Sequence, residues 1–338
     1  MSNFIVPVVK IEKIERHPNA DTLSLTEAEG CPVIVRTGDF NEGDRAIYVP
    51  IEAVVAQDGA AGRVCTFLKY KSGKHRVKAM RLRGIFSMGV LLKTHDFFTF
   101  DPPIGADVGP LLGITKFEEP EYGAGHGGDT IVSGPSEADP GWAPTYGVDH
   151  YRKHKGWLTP GEEVVVTEKI HGCNFRATFH QDRLWVASHH TFRKEDEADT
   201  WWSALRAHGL DEKLRHPLLV GKILYGEIYG PVQDLKYGSP DAVQFAAFDV
   251  YDIRSGRFLS YDAACEILTT VGIPLVPVLY RGVYDPAMVE PLADGPSTLA
   301  PEQIREGIVV RSTKEHPRVV LKLVGEDYLL RKDGTERH

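Results

Sequence analysis

Val164-Val165-Val166-Thr167-Glu168-Lys169-Ile170-His171-Gly172-Cys173-Asn174-Phe175 sets a β-branched run against a turn. The run Val164 to Val166 predicts a buried strand, and the strand delivers Lys169 into the turn. Gly172 lets the backbone pass close to whatever the lysine faces. A lysine amine kept neutral by desolvation or by a neighbouring cation attacks electrophiles. A second Lys-x-x-Gly, at Lys153-His154-Lys155-Gly156, follows a polar segment and lacks the strand. Spacing alone therefore does not pick the nucleophile; the strand before Lys169 does.

Outward from this stretch, 338 residues with a net charge of −8 suffice for two domains with real cores. No apolar run approaches the ~20 residues that span a bilayer, and the start Met1-Ser2-Asn3-Phe4 shows no export signal. A cytoplasmic protein without membrane contact is expected. Cys31, Cys65, Cys173 and Cys265 form no Cys-x-x-Cys pair, which speaks for reduced thiols rather than structural zinc or a disulfide framework. Net acidity hides one contrast: Arg63 to Lys93 carries nine Lys/Arg and no Asp or Glu. Such a one-signed stretch is a candidate polyanion footprint, with Lys74, Arg76, Lys78 and Arg81 as expected nucleic-acid contacts. Phe67, Tyr70 and Phe86 offer stacking surface within it.

Residues 4–55 predict short strands with turns at His17-Pro18-Asn19-Ala20-Asp21 and Asn41-Glu42-Gly43-Asp44, and further strands follow the turn Lys71-Ser72-Gly73-Lys74. This spacing suits a small barrel. The opening Val9-Lys10-Ile11-Glu12-Lys13-Ile14-Glu15-Arg16-His17-Pro18-Asn19-Ala20-Asp21-Thr22-Leu23 resembles the OB-type tRNA-binding module attached to some aminoacyl-tRNA synthetases. The Gly, Pro and Ser content of 116–147 marks a linker or long loop. A second domain is expected over 148–338, with a helix over Thr200 to Leu214 and another capped by Ser260.

Four further stretches follow Lys169 in order: Leu224-Tyr225-Gly226-Glu227-Ile228-Tyr229-Gly230, Phe248-Asp249-Val250-Tyr251, Glu306-Gly307-Ile308-Val309-Val310-Arg311 and Val320-Leu321-Lys322-Leu323. The succession resembles the covalent nucleotidyltransferase superfamily of polynucleotide ligases and mRNA-capping enzymes. Glu-Lys-Ile-His-Gly before Asn174-Phe175 is similar to its RNA-ligase branch, which includes phage nick-sealing, trypanosome RNA-editing and Deinococcus-type RNA ligases. The last of these places an OB-like module in front. The implied class is α+β: an N-terminal OB-like β-barrel (1–115), then an ATP-grasp-like nucleotidyltransferase domain (148–338) of antiparallel sheets with flanking helices.

The resemblance implies an ATP-dependent RNA ligase that joins 3′-hydroxyl and 5′-phosphate ends of a nicked, RNA-containing duplex, acting as a monomer with Mg²⁺ or Mn²⁺. Lys169 would form lysyl-AMP, with Lys322 as the phosphate cation. Glu227 would hold the ribose, and Glu227 and Glu306 would serve a metal. Gly172 would border the nucleotide, Phe248 would stack on adenine with Phe245 as its rival, Glu168 would accept from the adenine amino group, and Asn174 would meet the 5′-phosphate. Two departures stand out. Where relatives carry an arginine after the strand ending at Ser188, this chain has His189-His190 and then Arg193, and a single Lys322 replaces a Lys-x-Lys pair. DNA ligases and capping enzymes put an OB domain after the last motif, and only 16 residues follow Lys322 here. A non-catalytic RNA-binding protein is the rival from another class.

Overall fold

The computed structural model describes residues 4–117, 131–314 and 316–331, and the chain divides into two compact units, Met1–Glu119 and Pro120–His338. In the first unit Val8–Lys10 and Val90–Lys93 both pair with Arg45–Val49. Glu15–Arg16, Leu23–Ala28 and Cys31–Arg36 form an antiparallel meander. The apolar run from Ala46 to Val55 is cut into two strands, because Pro50 lacks an N–H to donate and Glu52 takes φ 71°. The second piece, Ala53–Ala56, lies between Lys74–Arg76 and Ile114–Lys116 in a separate three-stranded sheet.

The second unit holds two larger sheets. Seven strands run in the order Ser136–Glu137, Phe192–Arg193, Arg183–Ala187, Cys173–His180, Lys222–Tyr229, Gln244–Asp252, Arg257–Phe258. A hairpin turns at Gln181 and Asp182 with both residues at positive φ, 52° and 57°, as a two-residue type I′ turn requires. Five strands run in the order Asp149–His150, Val320–Val324, Gly307–Ser312, Glu163–Lys169, Val278–Val283, with one parallel pair at Asp149–His150. Each sheet packs one face on a large hydrophobic cluster. Phe175, Ala177, Leu224, Ile228 and Phe245 pack with Trp201, Trp202, Leu205 and Leu268 from the helices, while Val164, Val166, Ile308, Val310 and Leu321 pack with Tyr151 and Tyr284.

The helix expected over Thr200 to Leu214 is two, Thr200–Ala207 and Leu210–Lys213, parted at His208 and Gly209. Asp199 caps the first, its Oδ1 accepting from the Trp201 and Trp202 N–H groups at 2.9 and 3.1 Å; such a cap contributes about 1 kcal/mol. Ser260 caps Tyr261–Val271 as expected.

The expected linker is corrected in its second half. Residues 118–130 lie outside the described residues, but from 131 onward the segment is built into the second unit. Ser136–Glu137 pairs with Phe192–Arg193. Trp142 packs edge-on against Trp185, with ring centroids 5.4 Å apart. Buried Tyr146 donates its hydroxyl to Asp249 at 2.8 Å. Two large aromatics outweigh the turn-rich composition around them.

Candidate active site

Strand alternation builds the site. Along Glu163–Lys169, Val164, Val166 and Glu168 point to the packed face, and Val165, Thr167 and Lys169 to the other. Thr167 lies opposite Val309, and Val309 opposite Lys322, so Lys322 shares the Lys169 face. On the larger sheet Asn174 lies opposite Glu227, and Arg176 opposite Tyr225, all turned away from the helices. The two free faces look at each other. Arg311 of the smaller sheet reaches Asp249 of the larger at 3.1 Å, and Arg318 also holds that carboxylate. Lys169 and Lys322 thus share one face of the smaller sheet and Asn174 and Glu227 one face of the larger, with Glu227 within electrostatic reach of Lys169.

Lys169 is one-fifth exposed and its Nζ meets Glu306 Oε1 at 2.6 Å; Glu306 is 1% exposed. The sequence reading asked for a cation beside the nucleophile, and the structure puts a carboxylate there. Lys322 is the partly exposed cation on the same face. Glu227 sits beside Lys169 and Glu306 with its carboxyl pushed up to about 8, first by burial, then by the charge of Glu306, against the opposing pull of Lys169. Burial outweighs the cations beside it and favours the protonated form.

Gly172 is demanded by the protein's own packing. A Cβ there would lie 2.2 Å from the Ile228 carbonyl oxygen and 2.8 Å from Glu227 Cγ. The glycine before Glu227 was expected to make room for a nucleotide; a Cβ on Gly226 would instead strike the Phe245 ring at 2.3 Å. Phe245 is buried against Phe175, ring centroids 5.1 Å apart. Phe248 is only partly buried, between Tyr146 at 4.7 Å and the cluster of Ile170, Tyr237 and Val276. A bulge lies beside Phe248, with Tyr225 opposite Asp249 and Gly226 opposite Ala247. The buried Asn174 Oδ1 has no hydrogen-bond donor among the described residues.

Two expectations find other partners. Glu168 is 1% exposed, and its carboxylate accepts from Ser297 Oγ at 2.5 Å and from the Thr298 N–H at 2.8 Å. It alternates with Lys169 along the strand, and its charge also reaches Tyr229 and Tyr237, which pack with Phe248. Arg193 donates to buried Asp199 at 3.1 Å and covers the Trp201 ring at 3.7 Å, which fixes it in the core.

His171 is the residue the sequence reading passed over. It is fully buried, and its Nε2 lies 2.5 Å from Asp234 Oδ1. Its Nδ1 lies 2.9 Å from the Tyr328 hydroxyl and 3.7 Å from Glu306 Oε2. Burial lowers the affinity of the ring for a second proton, but Asp234 and Glu306 outweigh burial and raise it above the ordinary imidazole range. Arg331 holds Asp234 from behind at 3.2 Å. The only sequence signal was its place inside the Lys169 motif.

Among the described residues no group of three or more His, Cys, Asp or Glu is arranged to hold a metal unaided. Glu227 and Glu306 still fit a divalent ion that arrives with a phosphate-bearing substrate, because Mg²⁺ commonly takes one or two carboxylates and completes its shell with phosphate oxygens and water. Lys74, Arg76, Lys78 and Arg81 all lie in the first unit. Lys74, Arg76 and Lys78 line one groove; Arg81 stands on the separate hairpin Met80–Leu82 and Ile85–Ser87. Among the described residues no helix is long and apolar enough to cross a membrane, and no disulfide joins any of the four cysteines.

Comparison with known proteins agrees with this geometry. The RNA ligase family model matches residues 162–324, and an OB-fold domain model matches 5–94. Protein Early 65 kDa of Autographa californica nuclear polyhedrosis virus is 26% identical over 183 residues, 48% of this chain. The chain spans about a third of that relative, 31% of its length. Naegleria gruberi RNA ligase with pyrophosphate superposes with a TM-score of 0.84 at 22% identity, covering 97% of this chain and 98% of the other. A mutant of that ligase with ATP and Mn gives a TM-score of 0.85 at 21% identity, again over 97% and 98%. At such identities the likeness establishes the α+β fold, an OB-fold domain followed by a nucleotidyltransferase fold. Residues 162–324 are thus similar to the RNA ligase family and residues 5–94 to an OB-fold domain.

Proposed function

We propose that the protein is an ATP-dependent RNA ligase, working in the cytoplasm as a monomer. The observation that carries this reading is the convergence of the strand-end Lys169, its partner Glu306 and Glu227, with Lys322 on the same sheet face as Lys169. Lys169 Nζ attacks the α-phosphorus of ATP; a P–N bond forms, the α–β phosphoanhydride breaks and pyrophosphate leaves. Glu306, 2.6 Å from Nζ, is placed to take the ammonium proton. Lys322 meets the negative oxygens of the transferring phosphate. Phe248 offers its partly exposed ring to the base, and Glu227 faces the ribose. A divalent ion carried by ATP would be held by Glu227 and Glu306 and would add charge neutralisation on the phosphates.

A 5′-phosphate oxygen then attacks lysyl-AMP and the P–N bond to Lys169 breaks, with the Asn174 side-chain amide N–H donating to that phosphate; a 3′-hydroxyl next attacks the activated phosphate as AMP leaves. A nick in a duplex with RNA on the 3′-hydroxyl side is the substrate we favour. The Naegleria enzyme's pairing with ATP and Mn supports nucleotide and metal choice. The test is incubation with α-labelled ATP, GTP or NAD⁺ and pyrophosphatase, followed by a search for an acid-labile protein adduct. Label from ATP at Lys169 supports the reading. Label from GTP points to capping chemistry. Sealing of all-DNA nicks in preference to RNA points to a DNA ligase, and no label from any donor points to a non-catalytic RNA-binding protein.

A further inference from the structure

The first unit carries a groove of about 660 Å³ lined by Val54, Thr115, His75 and Phe117 together with Lys69, Lys71, Lys74, Arg76, Lys78 and Lys116. Its place is unexpected for an OB-fold domain. The groove lies on the sheet formed by Ala53–Ala56, Lys74–Arg76 and Ile114–Lys116, outside the sheets that hold Val8–Lys10 and Leu23–Ala28. The last of those strands lies beyond the matched OB-fold segment, which ends at 94. Residues remote in sequence, Lys69 and Lys116, thus meet on a surface where the described lining residues include no Asp or Glu.

The groove is held by its backbone. Lys71 and Lys74 exchange both hydrogen bonds across Ser72 and Gly73, at 2.8 and 3.0 Å, and both turn residues have positive φ, 49° and 74°, as a two-residue type I′ turn requires. His75 Nδ1 lies 2.8 Å from the Lys69 carbonyl oxygen, which fixes the approach to the turn. The Arg76 guanidinium lies 3.9 Å from the centre of the Phe117 ring, giving a flat cationic platform. Of the three aromatics expected to stack, Phe67 is exposed but does not line this groove. Phe86 is buried, and the Tyr70 hydroxyl is turned to the carbonyl oxygens of Gly62 and Cys65.

We infer that this accessory-sheet groove, rather than the barrel, holds a single-stranded segment of nucleic acid, with phosphates on the lysines and an unpaired base on the Arg76–Phe117 platform. Lysines alone would accept any polyanion. The platform narrows the class, because a duplex hides its base faces and an unpaired strand presents them. The inference rests on the ligase reading only for its choice of RNA as the strand.

The test uses the full chain without ATP and a fluorescently labelled single-stranded RNA, with anisotropy read across a salt series. The triple change Lys69→Ala, Lys71→Ala, Lys116→Ala should flatten the log–log salt slope by about 2, since each phosphate contact on a single strand contributes about −0.7. Phe117→Ala should weaken binding roughly 5- to 150-fold with little change in slope, the signature of lost stacking. Phe117→Tyr keeps the stacking face and should restore affinity, which separates stacking from a folding defect, and thermal melting of each variant checks the fold. Wild-type affinity and slope in the triple variant overturn the inference. So does a fully paired duplex that binds as tightly as the single strand and responds to the same changes, or heparin that binds with equal dependence on Phe117. If the wild-type chain forms no lysyl-AMP yet binds RNA through these residues, the ligase reading falls and this one stands.

Discussion

Lys169 and Glu306 meet at 2.6 Å although 137 residues separate them in the chain. The contact joins the end of one strand to the residue before its neighbour, with Lys169 opposite Gly307 in the register. It also decides how the nucleophile should be tested. Alanine at 169 would leave a carboxylate that is 1% exposed without its cation, and a buried charge that loses its partner is destabilising. Lys169→Arg keeps the ion pair while presenting a guanidinium that stays protonated. The arginine variant should melt like the wild type and form no adduct with α-labelled ATP, whereas Lys169→Ala should lose both label and some stability. Peptide mapping that finds AMP on Lys153 would refute the assignment.

Lys322→Ala should reduce adduct formation by about 10²–10³, the usual cost of removing one preorganised charge from a transition state. Arg311, the nearest alternative by sequence, is already committed to Asp249 at 3.1 Å and to the Leu259 carbonyl oxygen at 2.9 Å. A rate within about threefold of wild type, measured by rapid quench, would exceed what this role permits and move the phosphate contact to a different cation.

Glu227 predicts a pH dependence with a definite sign. Its carboxyl is raised to about 8, chiefly by burial, so the folded state keeps a proton that the unfolded chain releases near the ordinary value. Stability from this group is present at low pH and is lost as pH rises through the window between about 4.5 and 8. Melting in EDTA should therefore fall from about pH 5 to about pH 9, and Glu227→Gln should remove most of that fall. Magnesium added at high pH should restore part of it by favouring the ionised carboxylate. An identical pH profile for the Gln variant would show that another group is responsible.

His171→Ala removes the ring that joins Asp234, Tyr328 and Glu306. Leaving buried partners unsatisfied costs about 1–3 kcal/mol, so a lower melting temperature is expected. Adduct formation should fall by more than the loss of folded protein explains, because Glu306 loses a neighbour that orients it. Asp234→Asn keeps the size and weakens the same chain, and should show the smaller effect on both readouts. Full activity per folded molecule in both variants would make His171 a packing residue alone.

What was legible in the sequence follows from how locally each signal is written. The strand before Lys169 and the glycine three residues after it are contained in a dozen residues, and the structure puts both as read. The Gln181-Asp182 hairpin and the Ser260 cap are equally local. Glu168 could not be given its partners from its neighbours in the chain. Its real partners, Ser297 and Thr298, are 129 and 130 residues away. Arg193 was open until Asp199, Trp201 and the Phe192 strand enclosed it. His171 and Asp249 draw their roles from residues brought in by distant segments, and no spacing rule carries that information.

The segment 131–147 yields the last prediction, on where the ligase domain begins. Composition suggested a cut near Val148. Tyr146 is buried, donates to Asp249 at 2.8 Å and packs on Phe248 at 4.7 Å, while Trp142 covers Trp185 and Phe192. A fragment starting at 148 strips both aromatics and two backbone acceptors of buried Arg176, the Ala143 and Pro144 carbonyl oxygens at 3.2 Å. It should be insoluble or melt far below a fragment starting at 131, since removing one large buried aromatic alone commonly costs about 3–5 kcal/mol. The fragment from 131 should still form lysyl-AMP, because Lys169, Glu227, Phe248, Glu306 and Lys322 all lie within it, yet it should seal nicked RNA poorly without the first unit. Equal melting of the two fragments would mean that the aromatic segment merely rests on the sheet. Sealing by the longer fragment at the full-length rate, with an unchanged response to salt, would take the first unit out of substrate binding.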